Sequence, residues 1–530
     1  MTFRRARGAF AAAALSLALL PAVASAAPGP ASPPGATPKD IDRLVARAQA
    51  AFQVPGASVA IVKDGQVLFA KGYGVRQVGR PEPVDAQTLF GIGSNTKAFT
   101  VAALAMLVDE GKLHWDDRVA DLMPGFRLYD PYVTRELTVR DILTHRSGLG
   151  TGSGDLMLFP PSDFTRAEIL HNLRYLPPAS SFRSRFAYDN LLYILAGELI
   201  PQLTGQSWED FVQTRILDRL HTGCRATLKM IDGDPDVARP HVVIDGKLTS
   251  VPPDPSTAYD AAGSIQCNAA GMAAWAQIQL ADGKLPDGSA LFSAAQHRQM
   301  WTPQTIEPVA PDAQGLTRTH FRDYGLGWGL EDYDGVERVS HTGGLIGMVT
   351  YVSLVPEKGL GVIVLTNQQS GAAMSAIMMS LLDAFVGAPK RDWVAYYSAR
   401  DAEQAKLGAG ADQKADAAIA AAGGQAALPL DAYVGVYHDV WRGDATVRRE
   451  GERLRLVFSR TQGLQGDLKP MTGNVFVVRW DDRSLKADAL VNFRTGFDGT
   501  VSGMTMKPVS PTTDFSFDFQ DLDFTRTAAR

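Results

Sequence analysis

Gly93-Ser94-Asn95-Thr96-Lys97-Ala98-Phe99-Thr100-Val101-Ala102-Ala103-Leu104-Ala105-Met106-Leu107-Val108 holds the deciding pattern of this 530-residue chain. Phe99, Ala102, Ala103, Met106 and Leu107 recur at helical spacing, and Gly111 closes the run as a helix stop. Ser94 therefore stands at the start of a helix, with Lys97 three residues on. Positions i and i+3 share a helical face, so Lys97 Nζ lies beside Ser94 Oγ. The helix N-terminus meanwhile turns backbone N–H groups toward a developing oxyanion. Burial on such an apolar helix lowers the lysine pKa toward the range in which an amine acts as a base near neutrality. No other serine is followed by lysine at this spacing. Taken alone, the pair is also what a serine N-cap followed by a surface lysine looks like.

Outward from this helix, Ile41–Phe52 has helical periodicity, followed by apolar runs at Ala57–Val62 and Val67–Tyr73 joined by the hairpin signal Lys63-Asp64-Gly65. Far down the chain, Met348–Val355 and Gly361–Thr366 repeat the strand signature across Pro356-Glu357-Lys358-Gly359. Helical patterns and loops fill the space between. The spacing predicts an α+β domain in which one antiparallel sheet is built from both chain ends around a helical insert. Residues 392–427 are Ala-rich, with Gly408, Gly410 and Gly423-Gly424, and read as a helix and linker at a domain boundary. From Leu428 the pattern changes to short strands (Asp444–Arg448, Leu454–Phe458, Asn474–Trp480, Ala489–Arg494, Val501–Pro508), which predicts a small barrel or sandwich.

At the other end, Arg4, Arg5 and Arg7, an apolar run from Ala9 to Leu20 and Ala24-Ser25-Ala26 have the order of a secretory signal peptide cleaved after Ala26. The apolar run is too short to span a bilayer, so the expected product is exported, periplasmic or extracellular, with no membrane span. Residues 27–38, with five prolines, read as a tether. With 45% hydrophobic and 21% charged residues the chain is ordinary for a globular protein, and a net charge of −5 removes the basic excess that nucleic-acid binding needs. Cys224 and Cys267 are too few for a thiolate cage and form either one disulfide or two buried thiols. No metal-binding His cluster or cofactor motif occurs, and Gly-x-Ser-x-Gly is absent.

Two further motifs follow Ser94-x-x-Lys97. Tyr188-Asp189-Asn190 precedes the apolar helix Leu191–Ile200, and Ser340-His341-Thr342-Gly343-Gly344 precedes the strand from Met348. In this order the three resemble the active-site motifs of the serine penicillin-recognising enzymes, in the branch of class C β-lactamases, D-alanyl-D-alanine carboxypeptidases, D-aminopeptidases and esterases. Local likeness extends to Leu137–Leu149, to Gly111-Lys112-Leu113 through Asp117, and to Tyr324-Gly325-Leu326-Gly327-Trp328.

The resemblance implies a β-lactamase/transpeptidase-like domain over residues 39–387 and a helical linker at 388–427. Residues 428–530, best matched at Asp431–Tyr437, resemble a lipocalin-like barrel that covers the cleft, binds a ligand in its mouth, or mediates assembly. It further implies Ser94 as the acylated nucleophile, Lys97 and a phenolate-leaning Tyr188 as the proton-handling pair, and Asn190 as a partner of the substrate amide or of Lys97. The backbone N–H groups of Ser94 and Gly344 become the oxyanion hole, and His341, Thr342 and Gly343 border the substrate. Which of Lys97 and Tyr188 takes the first proton stays open.

His341 stands where β-lactamases carry lysine, and imidazole attracts a carboxylate less than a permanent ammonium does. Ester, amide or D-amino-acid peptide cleavage is thus expected ahead of penicillin turnover. The alternatives are a D-alanyl-D-alanine carboxypeptidase or weak β-lactamase, and a slow-deacylating binding or sensory protein. His145, four residues after Asp141, invites a Ser-His-Asp reading, but the resemblance makes it structural. Ala261-Ala262-Gly263-Ser264 resembles a strand bordering the cleft, and substrate identity is expected in the loops Gly152–Phe164 and Pro311–Arg322.

Overall fold

The computed structural model describes residues 35–228, 236–254 and 256–527. The expected leader, residues 1–26, and residues 27–34 of the expected tether lie outside them. The first described helix, α1 (Pro38–Phe52), opens on a Thr37 capping box whose partner is Asp40. Pro38, assigned above to the tether, instead occupies the first helical turn, where its missing N–H costs nothing.

Eight antiparallel strands form the central sheet: β1 (Gly56–Lys63), β2 (Gln66–Gly74), β3 (Thr305–Ile306), β4 (Arg322–Tyr324), β5 (Gly329–Tyr333), β6 (Val336–Leu345), β7 (Met348–Val355) and β8 (Leu360–Thr366), in the order β2-β1-β8-β7-β6-β5-β4-β3. The two ends of the domain meet at the β1–β8 ladder, where Val59 pairs with Val364. Strands β1, β7 and β8 are buried along almost their whole length because both faces of the sheet are covered. One face carries α1 and the helix Gly371–Val386, with Ile41, Val45 and Ile377 packed over Val59, Ile61 and Val364.

Behind the other face lies α2 (Thr96–Asp109), in which every residue from Thr96 to Leu107 is buried. A helix surrounded on all sides by core is a fixed post rather than an amphipathic cover, and this rigidity holds the Ser94–Lys97 pair. The helix α3 (Leu191–Thr204), also strongly apolar, packs beside it. Cys224 and Cys267 form a disulfide, which settles the alternative left open above. Cys267 belongs to a two-residue strand, Gln266–Cys267, paired with Phe90–Gly91 just ahead of Ser94.

A 30-residue helix, α4 (Trp393–Ala422), leads to a closed barrel of eight antiparallel strands, β9 (Gly435–Asp439) through β16 (Asp523–Arg526). Closure comes from β9 pairing with β16, Tyr437 opposite Arg526. Aromatic rings pack its interior: Tyr433, Phe476 and Phe493 meet edge-on or tilted within 5.4 Å of one another by ring centroid, and Trp480 stacks on Phe519 at 5.8 Å. An eight-stranded barrel is about as wide as its own inward side chains can fill, and these aromatic rings occupy the interior. Among the described residues no helix is long and apolar enough to cross a membrane.

Candidate active site

Ser94 sits in the 3-10 turn Gly93–Asn95 that runs directly into α2. Gly93 has φ of +53°, and a Cβ there would stand 2.7 Å from Gly344 N. The turn is thereby pressed against β6. The pairing of β6 with β5 ends at Ser340–Gly329, so residues 341–345 keep one strand edge for Ser94. The His-Thr-Gly motif, expected just ahead of a strand, lies inside β6 itself, paired with β7. Asn95 anchors the turn from below through Nδ2 to Thr350 Oγ1 at 2.8 Å.

Lys97 is wholly buried. Its Nζ has three polar neighbours: Asn190 Oδ1 at 2.8 Å, Ser94 Oγ at 3.0 Å and the Ala262 carbonyl at 3.1 Å. Burial brings its pKa down to about 7, against the opposing pull of the Asp155 and Asp189 carboxylates. The Asn190 and Ala262 oxygens only accept hydrogen bonds. A neutral amine spends its two N–H groups on them and turns its lone pair to the Ser94 hydroxyl.

Asn190 precedes α3 but does not cap it with its side chain; its Nδ2 donates to Asp155 Oδ2 at 2.8 Å. Tyr188 lies 4.9 Å by ring centroid from Lys97 Nζ. Burial and the nearby Asp155 and Asp189 push its phenol pKa up, and the Ser94 hydroxyl opposes this only in part. The phenolate-leaning tyrosine expected from sequence is therefore corrected: Tyr188 is held as the neutral phenol.

His341 is held neutral as well, its pKa lowered to about 3 by burial and by Lys97. Nδ1 lies 2.6 Å from the Thr342 carbonyl, so it carries the proton, and Nε2 accepts from Tyr324 Oη at 2.9 Å. Tyr324 belongs to the stretch quoted for local likeness, yet nothing in its spacing marked it as a partner of the third motif.

His145 is structural, as expected. Its Nδ1 accepts the Asp189 N–H at 3.1 Å, and its ring lies 4.3 Å from that of Tyr188. Asp141 meanwhile binds Arg146 and Arg183, so no Ser-His-Asp relay exists. Ala261-Ala262-Gly263-Ser264, expected as a strand, instead belong to the helical turn Asp260–Gly263 and its C-cap Ser264, though Ala262 and Gly263 do border the cleft.

The cleft over Ser94 encloses about 510 Å³ and is lined by Tyr188, Asn190, His341–Ile346 and the apolar groups Phe159, Tyr259, Val349 and Met374. Its roof is Asp514–Phe517, from the connection between the last two barrel strands. Phe515 meets Tyr188 edge-on at 5.9 Å, and Ser516 Oγ donates to Asp155 Oδ2 at 2.9 Å. The barrel was expected as one possible cover of the cleft and Asp155 falls within the expected Gly152–Phe164 loop, but neither Asp155 nor the covering residues were singled out from sequence, because the contacting residues lie 361 positions apart. Among the described residues no lysine or arginine lines the cleft.

An antiparallel sheet on a buried serine-lysine helix, with Tyr-x-Asn and His-Thr-Gly converging on it, defines a serine hydrolase of the penicillin-recognising type. Comparison with known proteins agrees. The model of the family described as Beta-lactamase matches residues 41–382, and that of the Domain of unknown function (DUF3471) matches residues 420–526. The chain belongs to the Beta-lactamase family. It is 29% identical to an unguisins hydrolase of Aspergillus campestris over 88% of each chain, and 32% identical to penicillin-binding protein 4 of Amycolatopsis lactamdurans over 59% of this chain and 81% of that one. The octameric penicillin-binding protein homologue from Pyrococcus abyssi shares the fold with a TM-score of 0.59 at 22% identity, covering 92% of this chain and 99% of that one.

Proposed function

We propose that this protein is an exported serine hydrolase of the esterase or D-amino-acid peptidase type, acting through an acyl-enzyme on Ser94. The observation that carries the reading is the environment of Lys97, whose two obligate acceptors leave the lone pair of the neutral amine for Ser94 Oγ. As Oγ bonds to the substrate carbonyl carbon, its proton passes to Nζ. The charge developing on the carbonyl oxygen faces the backbone N–H groups of Ser94 and Gly344. Collapse breaks the bond to the leaving group, which takes the Tyr188 proton, and Lys97 returns its own proton to Tyr188. Water then attacks the acyl-enzyme by the same steps reversed.

The absence of a cationic side chain among the described cleft residues, together with the neutral His341, favours substrates without a carboxylate beside the scissile bond. This weighs against a carboxypeptidase or β-lactamase. Export is supported by the signal-like residues 1–26 and by the Cys224–Cys267 disulfide, a bond that persists in oxidising compartments.

Intact-mass spectrometry of wild type and Ser94→Ala, incubated with a p-nitrophenyl ester, a D-alanine p-nitroanilide and a fluorescent penicillin, tests the reading. Turnover of the first two substrates, or their adducts, is expected in the wild type and absent from Ser94→Ala. Equal activity in both proteins removes Ser94 from the mechanism, and rapid turnover of the penicillin alone restores the β-lactamase alternative.

A further inference from the structure

The Asp155 carboxylate has no part in the steps above, yet it is wholly buried one residue away from Lys97. Its Oδ2 accepts from Asn190 Nδ2 and from Ser516 Oγ, while Oδ1 is buried without a partner. A side-chain amide has one oxygen and one NH2 group, so the end that meets Asp155 decides which end meets Lys97. The carboxylate draws the NH2 and leaves the oxygen for the lysine. With the amide turned by half a rotation, an NH2 would face Lys97, and the lone pair of the neutral amine would turn to Asn190 instead of Ser94.

Both halves of the molecule hold this carboxylate in place. Asp518, in the barrel, accepts the N–H groups of Gly154 at 2.6 Å and Leu156 at 2.9 Å, on either side of Asp155. Asp521 accepts from Ser153 Oγ at 3.2 Å, and Gly152 N donates to the Tyr188 carbonyl at 2.8 Å.

We propose that Asp155 is a positioning residue that orients the Asn190 amide and through it the lone pair of Lys97, and that Ser516 and Asp518 complete this latch, making the barrel part of the catalytic unit. The proposal rests on the reading of Lys97 as the base of a Ser94 acyl-enzyme.

The test uses the full chain and the burst of p-nitrophenol from p-nitrophenyl acetate, which reads acylation. Asp155→Ala is expected to slow the burst about tenfold to a hundredfold, as loss of alignment at a reacting group does, with KM little changed. Asp155→Asn keeps an oxygen for both donors and restores most of the rate. The other groups facing Lys97, namely Asp189, Tyr188, Tyr193, His145 and His341, are untouched. Ser516→Ala is expected to slow the burst about threefold to tenfold, the worth of one hydrogen bond.

An Asp155→Ala burst at the wild-type rate, or an Asp155→Asn burst as slow as Asp155→Ala, overturns the proposal. Should Asp155→Ala not fold, an Asp155→Asn burst slowed about tenfold or more, or a normal burst in Ser516→Ala, overturns it. An acylated Ser94→Ala sinks the parent reading instead; with Ser94→Ala silent, an unaffected Asp155 series sinks only this inference.

Discussion

An amine with a pKa near neutrality is a base only while unprotonated, and burial withdraws from Lys97 the solvation that would hold it charged. The rate of acylation therefore follows the neutral fraction of Lys97: kcat/KM is expected to rise with pH through about 7 and to fall as the ammonium forms below it. Lys97→Ala should cost at least about a hundredfold in kcat/KM and abolish that acid limb. A pH profile with no limb in this range, or a near-normal rate in the variant, assigns the base elsewhere. The Ser94–Lys97 pair was legible in the sequence because it is local, three residues along one helix. The protonation of Tyr188 was not, since burial and the Asp155 and Asp189 carboxylates hold the phenol neutral, and neither is set by spacing.

At the scale of the element, β6 works by proximity. A Cβ on Gly343 would stand 1.8 Å from the Ile92 carbonyl oxygen and 2.6 Å from Thr350 Oγ1. Backbone on one side and a buried, hydrogen-bonded threonine on the other leave it no room. Gly343→Ala is thus expected to push β6 off the Ser94 turn and to lower kcat/KM by about a hundredfold, with Ser94 labelling by a fluorophosphonate slowed in parallel. Labelling at the wild-type rate would show that the strand gives way without disturbing the site. Strands β1, β2, β7 and β8 were readable to within a residue or two, because their largely apolar runs end at turn residues. Short β3 and β4 carry too few residues for any period. The barrel strand Gln465–Thr472 was missed because Gly466 and Pro470 interrupt its pattern, and its register shifts beyond Pro470.

Across the whole molecule, the hydrolase domain and the barrel share buried side chains. Phe164 of the former lies beneath Arg460 and Arg442 of the latter, at 4.1 and 5.2 Å from its ring centroid. Arg460 also bonds Asp163 and Glu168, but those carboxylates are well exposed. Phe164→Ala is expected to cost about 3 to 5 kcal/mol and to split a single calorimetric transition into two, whereas Arg460→Ala costs about 1 kcal/mol or less. One unaltered transition in Phe164→Ala would mean that the contact does not join the two domains energetically. The barrel's existence was legible in its alternating strands, but where it docks was not, because Ser516, Asp518 and Arg460 look like ordinary polar loop residues until the chain has folded. The roof over Ser94 also has a consequence in time. Residues 514–518 emerge from the ribosome after every motif of the hydrolase domain, and domains fold in the order in which they are made. A chain broken off within the barrel before residue 514 carries Ser94, Lys97, Tyr188 and His341 intact and still lacks the wall that shapes what enters, so such a fragment holds its catalytic residues in an uncovered cleft.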